Sequence, residues 1–146
     1  MRYRNLGGTG LMVSEIGVGC EGFAKNDAAF AKEVFDIAEK RGINYLDLYT
    51  SDPEVRSKIG DAMLGRRDKT IVHGHICSTW QDGQYKRTRS LPEVKAGFED
   101  LLARLHTNYI DVGMVHYVDS MEHWQAIDGG PGMETGKRLR EQGQSK

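Results

Sequence analysis

The chain is poor in the residues that mark several protein classes. Proline occurs three times and cysteine twice, at Cys20 and Cys77, among 146 residues. Two thiols do not make the disulfide framework of a small secreted scaffold, and no charged, apolar and cleavage-site segments open the chain. The expectation is a reduced, cytoplasmic protein. Long apolar runs are lacking as well. None approaches the roughly 18 to 20 residues of a spanning helix, so no membrane crossing is expected. Nor is there an excess of charge of one sign. Lys and Arg number 20 against 21 Asp and Glu, a formal net charge of −1. That balance argues against nucleic acid or an anionic membrane as partner. With 38% apolar and 28% charged residues, the composition is that of a folded globular chain rather than a disordered one. The length suits one domain and is short for two.

Glycine is plentiful, 18 residues, set between periodic segments as punctuation. Tyr3-Arg4-Asn5-Leu6, the turn Gly7-Gly8-Thr9-Gly10, and Leu11-Met12-Val13-Ser14 predict a small hairpin. Ile16-Gly17-Val18-Gly19-Cys20 predicts a buried strand whose small terminal residues let a ligand approach. From Asp27 to Arg41, apolar residues at Phe30, Ala31, Val34, Phe35 and Ala38 recur at helical spacing, with Gly42 as the C-terminal cap. Ile43 to Tyr49 predicts the second strand. Asp52 as N-cap, Pro53 at the first position and Gly65 as stop predict the second helix. Thr70 to Ile76 predicts the third strand. Ser90-Leu91-Pro92-Glu93 reads as a capping box for a helix carrying Val94, Phe98, Leu101, Leu102 and Leu105. Tyr109 to His116 and Met133 to Gln142 predict the fourth strand and helix, and Cys77 to Arg89 reads as one long irregular loop. Met12, Met63, Met114 and Met133 read as core filler. The alternation predicts an α/β fold: an N-terminal hairpin plus four βα units around a parallel sheet.

Ligands of such sheets bind at the carboxyl ends of the strands. The residues expected there are Gly19 and Cys20, Asp47 and Tyr49, His73 and His75, and His116. Side chains alternate along a strand, so Tyr45, Asp47 and Tyr49 share one face, and His73 and His75 share one face. A carboxylate and two or three imidazoles at one mouth form an acid/base or ligand-binding constellation. His73 reads as a packed inner-layer histidine, and the two cysteines as inert small apolar residues.

Several ordered motifs carry a resemblance. Arg4-Asn5-Leu6-Gly7, Thr9-Gly10-Leu11, Val13-Ser14 and Ile16-Gly17-Val18-Gly19 resemble the opening of aldo-keto reductases. Gly42-Ile43-Asn44-Tyr45-Leu46-Asp47, Ile59-Gly60 with Ala62, Arg66-Arg67-Asp68-Lys69, and Tyr109-Ile110-Asp111 followed by His116 are similar to that family's next landmarks, in order. Asp52 to Arg56 and the stretch from His75 to Arg89 are closer to a bacterial branch, some of whose members carry a C-terminal iron–sulfur domain. No cysteine-rich segment of that kind occurs in these residues.

The resemblance implies half of a (β/α)8 TIM barrel, with residues 1–146 forming a single truncated domain. It implies NADPH or NADH as cofactor, with Gly19 and Cys20 beside the nicotinamide, and no metal. The family's proton donor is a Tyr, supported by Asp, Lys and His. Asp47 and His116 fall on the Asp and His positions. The other two positions depart: Asp52 stands where the Tyr is placed and His75 where the Lys is placed. Tyr49 is the displaced donor that remains, so Asp47, His75, His116 and Tyr49 are the expected catalytic set. Carbonyl reduction is expected to be impaired, and tight cofactor binding is not expected. Two open sheet edges predict a homodimer. The alternative is a non-catalytic half-barrel, a self-associating interaction module or an evolutionary remnant.

Overall fold

The computed structural model describes residues 1–128, 130–141 and 143. The glycine-rich opening is a hairpin in which β1 (Tyr3–Asn5) pairs antiparallel with β2 (Met12–Ser14). Strands and helices then alternate. Strand β3 (Val18–Gly19) precedes a single-turn helix α1 (Glu21–Ala24) and α2 (Ala28–Arg41), and β4 (Tyr45–Leu48) precedes α3 (Pro53–Ala62). Strand β5 (Ile71–Ile76) is followed by β6 (Ser78–Gln81), β7 (Gln84–Arg87) and α4 (Leu91–Arg104). Strand β8 (Val112–Val115), α5 (Met121–Ile127) and α6 (Pro131–Glu141) follow. Strands β3, β4, β5 and β8 form one parallel sheet in that order. The fold is therefore α/β, an N-terminal hairpin and four βα units, as the sequence predicts. Among the described residues, no helix is long and apolar enough to cross a membrane.

Local chemistry explains most of the boundaries. Asp27 accepts a hydrogen bond from the Phe30 amide at 2.9 Å, and Gly42, left-handed at φ 71°, closes the same helix. Asp52 accepts from the amides of Glu54 and Val55, with Pro53 in the first turn. Helix α3 ends at Ala62, before Gly65.

Three expectations are corrected. The Ser90 side chain makes no capping hydrogen bond, so the expected box does not form. The stretch from Cys77 to Arg89 is not irregular: β6 and β7 form a hairpin turning at Asp82 and Gly83. Both turn residues have positive φ, as a two-residue turn matched to strand twist requires. Helix α5, capped by Ser120, was not anticipated, and Met12 and Met114 are exposed rather than core. The last residue of the expected fourth helix, Gln142, lies outside the described residues.

The helices cover one face of the sheet. Leu46, Leu48, Val72 and Ile76 point into a core completed by Phe35, Ile59, Val94, Phe98, Leu101 and Ile110. Two arginines tie this layer together. Arg56 donates to the carbonyls of Thr50 and Gly97 and to Asp100 Oδ2, linking α3 to α4. Arg67 donates to the Thr70 and Tyr109 carbonyls and to Asp111 Oδ2 at 2.9 Å, and its guanidinium lies over the Tyr109 ring. Asp111 Oδ2 also accepts from the Val72 amide.

Gly60 is required where α3 meets the end of α4. A Cβ there would lie 1.9 Å from the Arg104 carbonyl oxygen, and a backbone atom cannot move aside as a side chain can. Alanine's helix propensity would stabilise by about 1 kcal/mol, but overpacking against backbone costs about 1 to 3 kcal/mol or more. Gly60→Ala is expected to lower the melting temperature, whereas Gly136→Ala, with open space around it, is expected to leave it level or raise it. Arg67→Met, which removes the guanidinium from beside Asp111, is expected to cost about 3 kcal/mol in urea unfolding. Lys32→Ala, which breaks only a surface pair with Asp36, should cost under about 0.5 kcal/mol.

Candidate active site

Alternation along the strands decides which side chains leave the core. In β4, Leu46 and Leu48 are buried under the helices, so Tyr45 and Asp47 project to the opposite face. Parallel pairing places Gly19, Asp47, His73 and Val112 in one row across the sheet. His75, opposite Met114, stands one step nearer the carboxyl end, and His116 follows directly after β8, its amide donating to the Ile76 carbonyl. The four polar side chains thus converge at one mouth.

Asp47 Oδ1 lies 3.0 Å from His75 Nε2 and 3.6 Å from His73 Nδ1. The closer pair is poorly aligned: among the described residues, neither Asp47 Oδ1 nor His75 Nε2, both buried atoms, has a hydrogen-bond partner in good geometry. On its other side, His75 Nδ1 meets His116 Nδ1 at 2.5 Å. A contact between two ring nitrogens requires one to carry the proton and the other to offer its lone pair. The aromatic rings continue the row: Tyr45 beside His73, His73 beside His75, His75 beside His116, and Tyr85 and Tyr117 edge-on to His116.

Burial sets the protonation of this row. It pushes the His75 pKa down to about 4 against the pull of Asp47, with His116 and His73 adding to the decrease. Burial likewise lowers His73, opposed by Asp47, and lowers His116, where the Arg89 guanidinium acts in the same direction. Arg89 donates to the backbone carbonyls of His116 and Tyr117, both at 2.7 Å. At neutral pH the three imidazoles are therefore neutral. Burial also pushes the Tyr85 phenol up to about 12, and its buried hydroxyl has no hydrogen-bond partner among the described residues.

Of the residues singled out from sequence, Asp47, His75 and His116 are brought together. Tyr49 packs edge-on against His75, and burial raises its pKa, with Glu21 beside its hydroxyl. Gly19 is exposed with open space where a side chain would stand. Cys20 lies beside it in sequence, but its thiol is buried in the core cluster and raised in pKa by that burial. Two residues were not assigned to the site from sequence. His73 reads as packing, although its i, i+2 relation to His75 puts both on one face. Tyr85 belongs to a hairpin whose Asp82-Gly83 signal marks it.

No protein-family model matches the chain. Over 124 residues, 80% of this chain and 39% of the relative, it is 36% identical to the uncharacterized oxidoreductase YqkF of Bacillus subtilis. Among solved structures, a candidate aldo-keto reductase from Pseudomonas aeruginosa, PA4992, superposes with a TM-score of 0.86 at 26% identity, covering 98% of this chain and 57% of that one. The holo form of aldo-keto reductase AKR11C1 from Bacillus halodurans gives 0.78 at 27% identity, covering 99% of this chain and 48% of that one. An aldo-keto reductase from Klebsiella pneumoniae in complex with NADPH, at 18% identity and a TM-score of 0.60, shares the fold, with 94% of this chain and 45% of that one covered. The chain spans about two fifths of the length of the curated relative and about half of the solved ones. In sequence and fold the chain is similar to part of an aldo-keto reductase.

Proposed function

We propose that the chain reduces a small carbonyl compound with NADPH or NADH, in the cytoplasm, at the mouth formed by Asp47, His75, His116 and Tyr49, and that its proton delivery is weak. The observation that carries this reading is the convergence of Asp47, His75 and His116 at the carboxyl ends of β4, β5 and β8. Cys20 and Cys77 are free and buried, in keeping with a reducing compartment.

The residues present fit the nicotinamide end of the cofactor. Exposed Gly19, in register with Asp47 and open above its Cα, allows a flat ring to approach the sheet edge. The cofactor, when bound, supplies hydride. The protein's part is to orient the carbonyl and to hold a proton for its oxygen. Asp52, at the position where the resemblance places a Tyr, is committed to two amides of α3 and donates nothing. If His75 Nδ1 donates to His116, the neutral His116 carries its own proton on Nε2. A neutral imidazole N–H donates a hydrogen bond but gives up its proton reluctantly, so His116 orients the carbonyl better than it protonates it. Tyr49 is the remaining phenol, and burial holds its proton firmly.

A second reading rests on a separate observation. Among the described residues, β3 and β8 are unpaired sheet edges, and Met114, Val118 and Trp124 are exposed. In that reading a second copy covers them, as a homodimeric interaction module without catalysis.

Three outcomes test these readings. NADPH titrated by fluorescence should saturate only above about 1 µM, and submicromolar affinity contradicts weak cofactor retention. Asp47→Asn and His116→Ala should each lower kcat/KM for small aldehydes at least about 100-fold, and unchanged values remove both from the site. Light scattering at micromolar concentration should report a dimer, whereas a monodisperse monomer with a cooperative melt excludes the second reading.

A further inference from the structure

Two features of the mouth are left unexplained by carbonyl reduction. His73 has no role there, and two buried atoms, Asp47 Oδ1 and His75 Nε2, face each other without a hydrogen bond. Buried polar atoms are ordinarily satisfied, so two that meet in poor hydrogen-bond geometry mark a place where a shared ligand would satisfy both.

The chemistry of the donors says which. Asp47 Oδ1, His73 Nδ1 and His75 Nε2 all lie within 4.8 Å of one another, with the two distances from the carboxylate oxygen at 3.0 and 3.6 Å. Ligand bonds of about 2.0 to 2.2 Å bring neighbouring donors to about 3.3 Å in a tetrahedral site. Two of the three spacings already suit this, and a turn of the His73 ring about its side-chain bonds completes the third. Two imidazoles and one carboxylate with an open fourth position are a known donor set for zinc. The backbone supports it: register sets Asp47 directly opposite His73, and alternation sets His75 on the same face.

The surrounding shell fits as well. A histidine bound to metal through Nε2 presents Nδ1–H to a second partner, which fixes its tautomer and ring orientation. His75 has that partner in His116 Nδ1 at 2.5 Å. His116 in turn is held by its amide on Ile76 and its carbonyl on Arg89.

We propose that Asp47, His73 and His75 bind a divalent transition-metal cation of the zinc class, with His116 as a positioning residue for His75. An ion there would place fixed positive charge beside the strand tip where the resemblance implies an ammonium. Binding depends on these side chains alone; any part in reduction rests also on the function proposed above.

The test is metal binding, read without substrate or cofactor. The chelator-treated protein is titrated with Co2+, followed by its visible d–d absorption, and with Zn2+ by calorimetry. One equivalent is expected to bind with micromolar or tighter affinity, and Zn2+ should displace Co2+. His73→Gln and Asp47→Asn, each checked for a native melt, should weaken binding at least about 10-fold and alter the cobalt spectrum. His116→Ala should weaken it about 10-fold while leaving stoichiometry at one. His106→Ala, away from the mouth and paired with Asp61, should change nothing. Absence of saturable binding by the unmodified chain overturns the proposal, as does binding that survives the His73→Gln, Asp47→Asn double variant. Carbonyl reductase activity without metal binding sinks this inference alone, and metal binding without activity sinks only the function.

Discussion

A parallel sheet joined by helical crossovers has its helices laid on a face, and each strand must therefore send alternate side chains into that layer. Here Leu46, Leu48, Val72 and Ile76 meet the requirement, and their alternates are committed to the other side. The polar mouth is a direct consequence. Asp47 sits between two leucines that are at most 1% exposed, so its direction is set by theirs. A slip of one residue in β4 would bury the carboxylate among Val72, Ile59 and Phe35 and expose both leucines. Apolar packing on one face thus specifies the chemistry on the other. Gly60, the buried Arg56 and the half-buried Arg67 matter to the site for the same reason: they hold α3, α4 and the start of β8 where the strand tips converge.

What converges is electrostatically unusual for its setting. An ammonium or an imidazolium near Asp47 would form an ion pair of ordinary kind. Instead, burial lowers the pKa of all three imidazoles, and the closest approach of carboxylate to imidazole is 3.0 Å. A row of rings runs from Tyr45 to Tyr117 along the cluster, and Gly19 has open space beside it. The similarity to aldo-keto reductases runs along most of the chain, and the proposed weakness in proton delivery rests on a few positions within it.

Much of this was legible in the sequence because the signals were local. Asp27, Gly42, Asp52 and Pro53 mark helix ends by capping chemistry that acts within one turn. The strands were legible as apolar runs between those marks, though each is shorter than its run, since pairing stops where a neighbour ends. The misses have physical causes too. Asp82-Gly83 between alternating residues is a hairpin signal, overlooked amid the basic residues around it. Ser90 has the composition of a capping box without making the bond. The role of His73 needed register across two strands, which no single strand reveals. The 2.5 Å meeting of His75 with His116 joins residues 41 apart and has no local signature at all.

The neutral, proton-sharing pair of His75 and His116 is the point on which the site's chemistry turns, and nitrogen-15 spectra of the histidine rings in the metal-free protein at pH 7 observe it directly. The expected result is two neutral rings with one of the facing Nδ1 atoms protonated, its proton resonance shifted far downfield by the short contact, and the signal lost in His116→Ala. Two rings with no Nδ1 proton between them, or an imidazolium at either position, would contradict the account.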